Sequence, residues 1–288
     1  MNNNFLLSHR KEEPEKGILY IVGTPIGNLN DISLRSIEIL KGSDFIFAED
    51  TRKAKRLFRK FNIDKKSFSF NDHNERDKTK NIIMKAREGK IISILSDAGA
   101  PLISDPGYYL ISECIKNGIS YSVIPGPSSV INSILLSGLA TNKFIFLGFL
   151  PRKDKERKKI FSKYEHHEST LIFFESPKRL IRTLSVMKEI FSSTRQIAIC
   201  REMTKIHEEV LRGSVSEVLE NISSRDIKGE ICLVVEGCKE IFGKNVDLSE
   251  EVRTLLLENM SPSESARLLS LVTKKSKKDF YNWLIEKS

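Results

Sequence analysis

The part of the sequence best suited to chemistry is a turn over residues 95–107, which combines two carboxylates with glycine and proline. Asp97 and Asp105 are acceptors suited to hydroxyl groups or to a positive charge, and the turn contains no lysine or arginine for a phosphate. Gly99 and Gly107 lack a Cβ, so a ligand can approach the backbone closely. The turn therefore predicts a binding site for a small polar ligand. The alternative is a tight loop in which these residues serve turn geometry alone.

Two further turns of the same kind occupy residues 23–28 and 125–129. Like the turn at 95–107, each follows an apolar run typical of a buried strand, and open α/β sheets bind ligands at the carboxyl ends of their strands. If these strands are parallel, the three turns surround one small molecule. The sequence lacks the phosphate loop G-x-x-x-x-G-K-[ST], and no G-x-G-x-x-G follows the first strand, which disfavours nucleoside triphosphates and NAD. A neutral-to-cationic cofactor with a ribose, an amino acid and a base fits better, and S-adenosylmethionine is such a molecule.

The elements that must position these turns alternate between strand and helix up to about residue 139, which predicts a parallel α/β sheet. One predicted helix covers residues 31–41, capped by Asp31 and ended by Gly42. Strands predicted at 196–201 and 206–212 are joined by a short turn, which indicates a mixed sheet in a second domain.

From about residue 247 the chain is predicted to be helical, and its last two helices resemble a helix-turn-helix unit. This unit either docks on RNA or caps the second domain. We therefore expect a flexible tail (1–16), an N-terminal α/β domain (17–125), a C-terminal α/β domain (126–240) and an appended helical domain (245–288).

The composition favours a polyanionic partner. The chain has 288 residues and a net charge of +9, and its positive charges cluster at 52–60, 152–159 and 274–278. RNA is the natural partner for such clusters, and the alternative is that each is a solvated helix face. The four cysteines lack C-x-x-C spacing, which argues against a zinc site and predicts free thiols in a reducing cytosol. No apolar run approaches the roughly 20 residues that span a bilayer.

Six motifs, in order and similarly spaced, resemble the ribosomal RNA small-subunit methyltransferase I family of the tetrapyrrole methylase superfamily. The resemblance covers residues 18–237, and the C-terminal helices resemble the small appended domain of that family. The motifs are LYIVGTPIGNL at 19–29, AEDTR at 48–52, DHNE at 72–75, the turn at 96–107, PGPSS at 125–129 and GFLP at 148–151.

This resemblance implies methyl transfer from S-adenosylmethionine to the 2′-hydroxyl of a cytidine in small-subunit (16S) rRNA, near the decoding centre. It also implies a cytoplasmic homodimer that acts on the rRNA or on the assembled small subunit. The implied fold has two α/β domains, one with a parallel and one with a mixed sheet, and the cofactor lies in the cleft between them. The cofactor contacts that carry over by position are Pro25, Ala98, Gly99, Ala100, Ile103, Ser128, Ser129, Glu175 and Met203. Tetrapyrrole-modifying relatives have Gly-Asp-Pro where this chain has Gly99-Ala100-Pro101, so Asp97 is added as a candidate.

A ribose hydroxyl is a poor nucleophile, so an acceptor for its proton would assist the transfer. The candidate acceptors are Glu49, Asp50, His73 and Glu75, each of which could instead be structural. The residues expected to bind RNA are Arg52, Arg152, Lys153, Lys158, Lys159 and Lys205, and no metal is expected. Two other functions stay open: methylation of a tetrapyrrole or another small molecule, and a non-catalytic RNA-binding or assembly role.

Overall fold

The computed structural model describes residues 14–238, 249–273 and 276–285. Its first sheet has five parallel strands in the order β3-β2-β4-β1-β5, which confirms the predicted parallel sheet. The central strands β1 and β4 are buried along their whole length, as their continuous apolar sequences require. The strands are β1 Leu19–Val22, β2 Phe45–Ala48, β3 Ser67–Ser69, β4 Ile92–Leu95 and β5 Tyr121–Ile124. The connecting helices are α1 Leu34–Gly42, α2 Thr51–Lys60, α3 Glu75–Arg87 and α4 Tyr108–Lys116.

The second sheet also has five strands, in the order β6-β7-β10-β8-β9. Strands β6 and β7 are parallel and the other neighbours are antiparallel, so this sheet is mixed, as predicted. The strands are β6 Phe144–Phe149, β7 Thr170–Glu175, β8 Gln196–Arg201, β9 Glu209–Ser214 and β10 Ile231–Val235. The helices of this part are α5 Ser129–Ser137, α6 Asp154–Tyr164, α7 Pro177–Ile190 and α8 Val215–Ser223.

Helix α5 joins the two sheets, because it follows β5 directly and packs on β8 and β10. One apolar cluster includes Ile26 of the first turn, Val130 and Ile134 of α5, and Met203 and Cys232 of the second part. The space between the two sheets therefore rests on a shared apolar core, which fixes the ends of their strands relative to one another.

The C-terminal segment forms helices α9 Glu250–Asn259, α10 Pro262–Thr273 and α11 Lys277–Ile285. Ala266, Leu269, Phe280 and Leu284 are buried among these helices, with Leu256 and Trp283 partly buried against them. This small helical unit completes the predicted fold class. Residues 1–13 of the expected tail, 245–248 of the expected helical domain, and Lys274 and Lys275 of the last basic cluster lie outside the described residues.

Two predicted elements begin later than expected. Helix α1 starts at Leu34 with Ser33 as its cap, since Asp31 ends a short 3₁₀ helix, and Gly42 is the last residue of α1 rather than its stop. Strand β9 starts at Glu209, because Glu202 and Thr204 adopt left-handed backbone conformations that extend the turn after β8. The prediction of a strand from residue 206 was therefore wrong by three residues.

Candidate functional site

The turns after β1, β4 and β5 meet at one edge of the first sheet, as expected for parallel strands. The backbone of Thr24 donates a hydrogen bond to the Gly99 carbonyl at 2.8 Å, and Gly99 returns one to Thr24 at 3.1 Å. Gly23 and Gly126 also touch, since a Cβ on Gly23 would lie 2.7 Å from the Cα of Gly126. The three turns thus form one connected unit that tolerates no side chain at the contact between these glycines.

A cavity of about 380 Å³, the central cavity, lies between these turns and the strand ends of the second sheet. Its size falls within the range of small-molecule sites, roughly 300–1,000 Å³. It brings together nine of the ten residues predicted to contact the cofactor, all but Pro25. These are Asp97, Ala98, Gly99, Ala100, Ile103, Ser128, Ser129, Glu175 and Met203.

Two further cavities adjoin the central one and share residues with it. The side cavity, of about 770 Å³, is lined by Pro25 and the 202–208 turn, and shares Lys53 and Asp97 with the central cavity. The acidic pocket, of about 450 Å³, is lined by the segment 49–52, by residues 71–73 and by Asp97. A ligand in the central cavity can therefore be reached from two sides.

Glu49 and Asp105 both face the central cavity, and Glu49 also lines the acidic pocket. Burial, together with the charge of Glu49, raises the pKa of Asp105 to about 7. Burial, and then the charge of Asp97, raises the pKa of Glu49. The Oε2 atom of Glu49 is buried without a hydrogen-bond partner among the described residues. An acidic group in this state accepts a proton more readily than an exposed carboxylate does.

Asp97 and Asp50 hold the start of α2 against the central turn. Asp97 accepts a hydrogen bond from the Asp50 amide at 2.8 Å and forms an ion pair with Lys53 at 2.8 Å. Asp50 caps α2 and pairs with Arg52, which lowers the pKa of Asp50 to about 2. Of the two adjacent acids at 49 and 50, only Glu49 is in an environment that favours proton acceptance.

His73 and Glu75 do not share one location. His73 is exposed and lines the acidic pocket beside Asp50 and Asp97. Glu75 is the first residue of α3, and its carboxylate accepts a hydrogen bond from the Leu110 amide at 3.3 Å, in the first turn of α4. A carboxylate at a helix N-terminus is stabilising, so the contact of Glu75 is structural, and Glu75 lines none of the three cavities.

Glu175 and Met203 enter the central cavity from the second sheet. The carboxylate of Glu175 is fully buried and accepts hydrogen bonds from the Ser176 amide at 2.7 Å and the Thr183 hydroxyl at 2.6 Å, and it pairs with Arg179 at 2.5 Å. Its polar atoms are therefore engaged by the start of α7. Met203 is buried in the shared core and presents an apolar wall to the cavity.

The residues predicted to bind RNA fall into two groups. Arg52 lines the acidic pocket and Lys205 the side cavity, where Lys205 pairs with Glu202 at 2.7 Å and Glu230 at 3.1 Å. The second group is an exposed basic ridge at and before α6, only a few residues after Phe149 of the central cavity. The basic ridge consists of Arg152, Lys153, Lys155, Lys158 and Lys159.

Arg157 lies within the same basic stretch but is fully buried. It pairs with Asp154 at 3.1 Å and donates hydrogen bonds to the carbonyls of Pro151, at 3.2 Å, and Arg152, at 3.4 Å. Arg157 therefore holds the loop before α6 and is not part of the basic surface.

In the described ranges, no group of three or more acidic, histidine or cysteine side chains could hold a metal ion, and no helix is long and apolar enough to cross a membrane. The four cysteines are buried free thiols. Cys200 and Cys232 are cross-strand neighbours on β8 and β10, and burial raises the pKa of Cys232 to about 12.

Comparison with known proteins explains the combination of folds and turns. A family model described as Tetrapyrrole (Corrin/Porphyrin) Methylases matches residues 18–219. The chain belongs to the tetrapyrrole methylase family. S-adenosylmethionine is the methyl donor of this family.

Curated members of the tetrapyrrole methylase family match nearly the whole chain. Proteins named ribosomal RNA small subunit methyltransferase I are 40% identical in Halalkalibacterium halodurans, over 94% of this chain and 96% of theirs, and 41% identical in Rickettsia prowazekii, over 93% and 96%. The Thermotoga maritima protein of that name is 45% identical over 99% of its own length but 77% of this chain, so it has no counterpart of about a quarter of the chain.

Solved structures of two tetrapyrrole-methylase-like proteins share the fold. Uroporphyrin-III-C-methyltransferase from Thermus thermophilus has a TM-score of 0.53 and 20% identity, and covers 77% of this chain and 94% of its own. Diphthine synthase has a TM-score of 0.61 and 14% identity, and covers 76% and 89%. At these identities the likeness establishes the fold alone.

The sequence interpretation left Asp105 out of the catalytic candidates, although it noted this carboxylate as an acceptor. The signal that distinguishes Asp105 is its position in a strained loop, because Leu102 and Ser104 both have positive φ values, of 75° and 63°. Such strain directs a loop side chain into a cavity and is visible only in the structure.

Proposed function

We propose that this protein transfers the methyl group of S-adenosylmethionine to the ribose 2′-hydroxyl of a cytidine in small-subunit (16S) rRNA near the decoding centre. The observation that carries the proposal is the central cavity, where turns of both parts of the chain meet an acidic group with an unpartnered carboxylate oxygen. The curated relatives of that name supply the acceptor class.

The central cavity suits the chemistry of this cofactor. Apolar side chains of Ile26, Ile103 and Met203 can cover a flat base, and the hydroxyls of Ser128 and Ser129 can bond a ribose. The carboxylates at 49, 97 and 105 favour a positively charged ligand, which a sulfonium with an ammonium group provides. We propose the ten predicted cofactor residues as its binding site, Pro25 at the edge shared with the side cavity. Residues 17–125 and 126–240 would then be the domains that form its two walls.

When bound, the cofactor supplies an activated methyl group, so the protein mainly has to align the acceptor oxygen with it. We propose Glu49 as the acceptor of the hydroxyl proton, because it lies between the central cavity and the acidic pocket and has the free oxygen. Asp50 and Asp97 hold the segment in place, and His73 is placed to contact the acceptor. Glu49→Gln is expected to lower kcat by about 10²–10⁴ while the affinity for the cofactor is kept.

The basic ridge, Arg52 and Lys205 surround the cleft with positive charge, which favours an RNA acceptor. We place the protein in the cytoplasm, where small ribosomal subunits are found. We also propose a homodimer, because the edge strand β5 and the neighbouring helix α5 expose apolar side chains. These are Tyr121, Val123, Ile131 and Leu135.

The acceptor class is tested by offering the purified protein labelled S-adenosylmethionine with either small ribosomal subunits from a strain lacking this activity or a reduced tetrapyrrole. Label in the rRNA and none in the tetrapyrrole is expected. Label in the tetrapyrrole alone would replace the proposal by the small-molecule alternative, and binding of subunits without any transfer would support a non-catalytic role.

A further inference from the structure

The turn between β8 and β9, residues 202–208, carries an isoleucine at its tip. Ile206 is 97% exposed, the highest exposure of any large apolar side chain among the described residues. Single exposed aliphatic residues are common on protein surfaces and need no explanation by themselves. The surroundings of Ile206 distinguish it from such residues.

The backbone of this turn is held rigidly. The Lys205 ammonium pairs with Glu202 at 2.7 Å and with Glu230 at 3.1 Å, which ties the turn to the start of β10. The Thr204 amide donates to the Glu208 carboxylate at 2.6 Å, and the Lys205 amide donates to the Glu202 carbonyl at 3.0 Å. A tip fixed by this many contacts presents its side chain without a further loss of backbone entropy on binding.

The same turn is docked on the first sheet's side of the cleft. The Asn28 amide donates a hydrogen bond to the Thr204 hydroxyl at 3.0 Å. Contact is close enough that a Cβ on Gly27 would lie 2.5 Å from Cγ of Lys205. Ile206 therefore has a fixed position relative to both walls of the central cavity.

Ile206 lies on the wall of the side cavity together with His207, Lys53 and Arg56. The side cavity shares Lys53 and Asp97 with the central cavity, so a chain that enters it approaches the methyl-transfer site. Arg56 is exposed and makes no ion pair with another described residue, which leaves its guanidinium available to a phosphate. An apolar tip beside free cationic groups matches the two parts of a nucleotide, the face of its base and its phosphate.

We propose that Ile206 packs against the face of a nucleobase of the acceptor RNA and holds that base out of its stack while the neighbouring ribose enters the central cavity. Aliphatic side chains that wedge between bases act in the same way in other nucleic-acid complexes. This inference rests on the proposed function and specifies how the RNA is recognised. It concerns the binding of the acceptor and not the transfer step.

The test compares Ile206→Ala and Ile206→Phe with the control Ile115→Ala, which truncates an exposed isoleucine of α4. Each variant is assayed for methylation of small subunits and for binding to subunits, to protein-free 16S rRNA and to S-adenosylmethionine. For Ile206→Ala we expect KM for the subunits to rise roughly five- to tenfold, as for half-covering the three lost carbon atoms, with kcat and cofactor affinity unchanged. Ile206→Phe should keep KM near the wild-type value or lower it, since its ring also stacks.

Three outcomes would overturn the inference. If Ile206→Ala behaves as Ile115→Ala does while the wild type methylates subunits, Ile206 does not contact the acceptor. If Ile206→Ala loses affinity for subunits but not for protein-free rRNA, its partner is a ribosomal protein. If the wild type transfers no label to subunits, the proposed function fails together with this inference.

Discussion

Asp105 gives the sharpest test of the electrostatics of the central cavity. Its pKa rises from the ordinary value of 3.8 to about 7, because the carboxylate is buried close to Glu49 and Asp97, with Asp72 further off. The native state therefore binds the proton more tightly than the unfolded state does. Stability associated with this proton is present at low pH and is lost as the pH rises through 7.

The size of the effect follows from the two pKa values. Without screening, keeping Asp105 ionised in the folded protein at pH 8 would cost about 4 kcal/mol, at about 1.4 kcal/mol for each tenfold change in proton affinity. The side chain is partly open to the cavity, so solvent screening reduces this to about 2 kcal/mol. Asp105→Asn removes the charge with little change of shape.

We expect the free energy of unfolding of Asp105→Asn to exceed that of the wild type by about 2 kcal/mol at pH 8, and this gain to shrink towards zero at pH 4. Urea unfolding of the cofactor-free protein, followed by circular dichroism at several pH values, measures the difference. The control is Asp64→Asn, in the exposed loop between α2 and β3. A gain that is equal at pH 4 and pH 8, or that the control reproduces, would refute the argument.

Three more predictions follow from the same geometry. Because a sulfonium next to Asp105 favours the ionised carboxylate, calorimetry should show affinity for S-adenosylmethionine falling as the pH drops below 7, and less so for the uncharged thioether S-adenosylhomocysteine; parallel pH profiles would contradict this. Gly99→Arg should abolish cofactor binding while Gly89→Arg keeps it, since both glycines have a φ near +80° and only Gly99 lines the cavity; equal losses would mean that backbone strain, and not the blocked cavity, is responsible. Changing the four lysines of the basic ridge to glutamine should reduce the salt dependence of RNA binding by about 2 in the log–log slope, and an unchanged slope would make the ridge a solvated surface. The matched control changes three exposed lysines that precede strands at the opposite edge of the first sheet, Lys41, Lys66 and Lys90.

The ligand-binding edge of the first sheet was predictable because it depends on local sequence and on one topological rule. Apolar runs followed by glycine and proline mark strand ends, and parallel strands bring those ends together. Asp97 and Gly99 could be placed beside Ser128 in this way without knowledge of any side-chain contact, and the structure brings them to one cavity.

The side-chain partners of the candidates were not predictable, because they come from segments distant in sequence. Glu75 reads as a catalytic acid in its motif, yet its carboxylate meets the start of α4. Arg157 has the same residue type as the basic ridge around it, and only the positions of Asp154 and two loop carbonyls show that it is buried. Lys205 reads as a free cation, whereas Glu202 and Glu230 engage its charge.

The turn after β8 shows how tertiary contacts override a local pattern. Residues 206–212 alternate in a way that is typical of a strand, but the contacts of Thr204 with Asn28 and of Lys205 with Glu230 hold the first of them in a turn. The tip at Ile206 is therefore a consequence of the way the two sheets meet.

The central claim is tested most directly by identifying the methylated nucleoside. Small subunits from a strain lacking this activity are incubated with the protein and labelled S-adenosylmethionine, and the 16S rRNA is digested to nucleosides. We expect the label in 2′-O-methylcytidine from a fragment near the decoding centre, and none when Glu49→Gln replaces the wild type at matched times. Label on a base, on another ribose or on no nucleoside at all would contradict the proposed reaction.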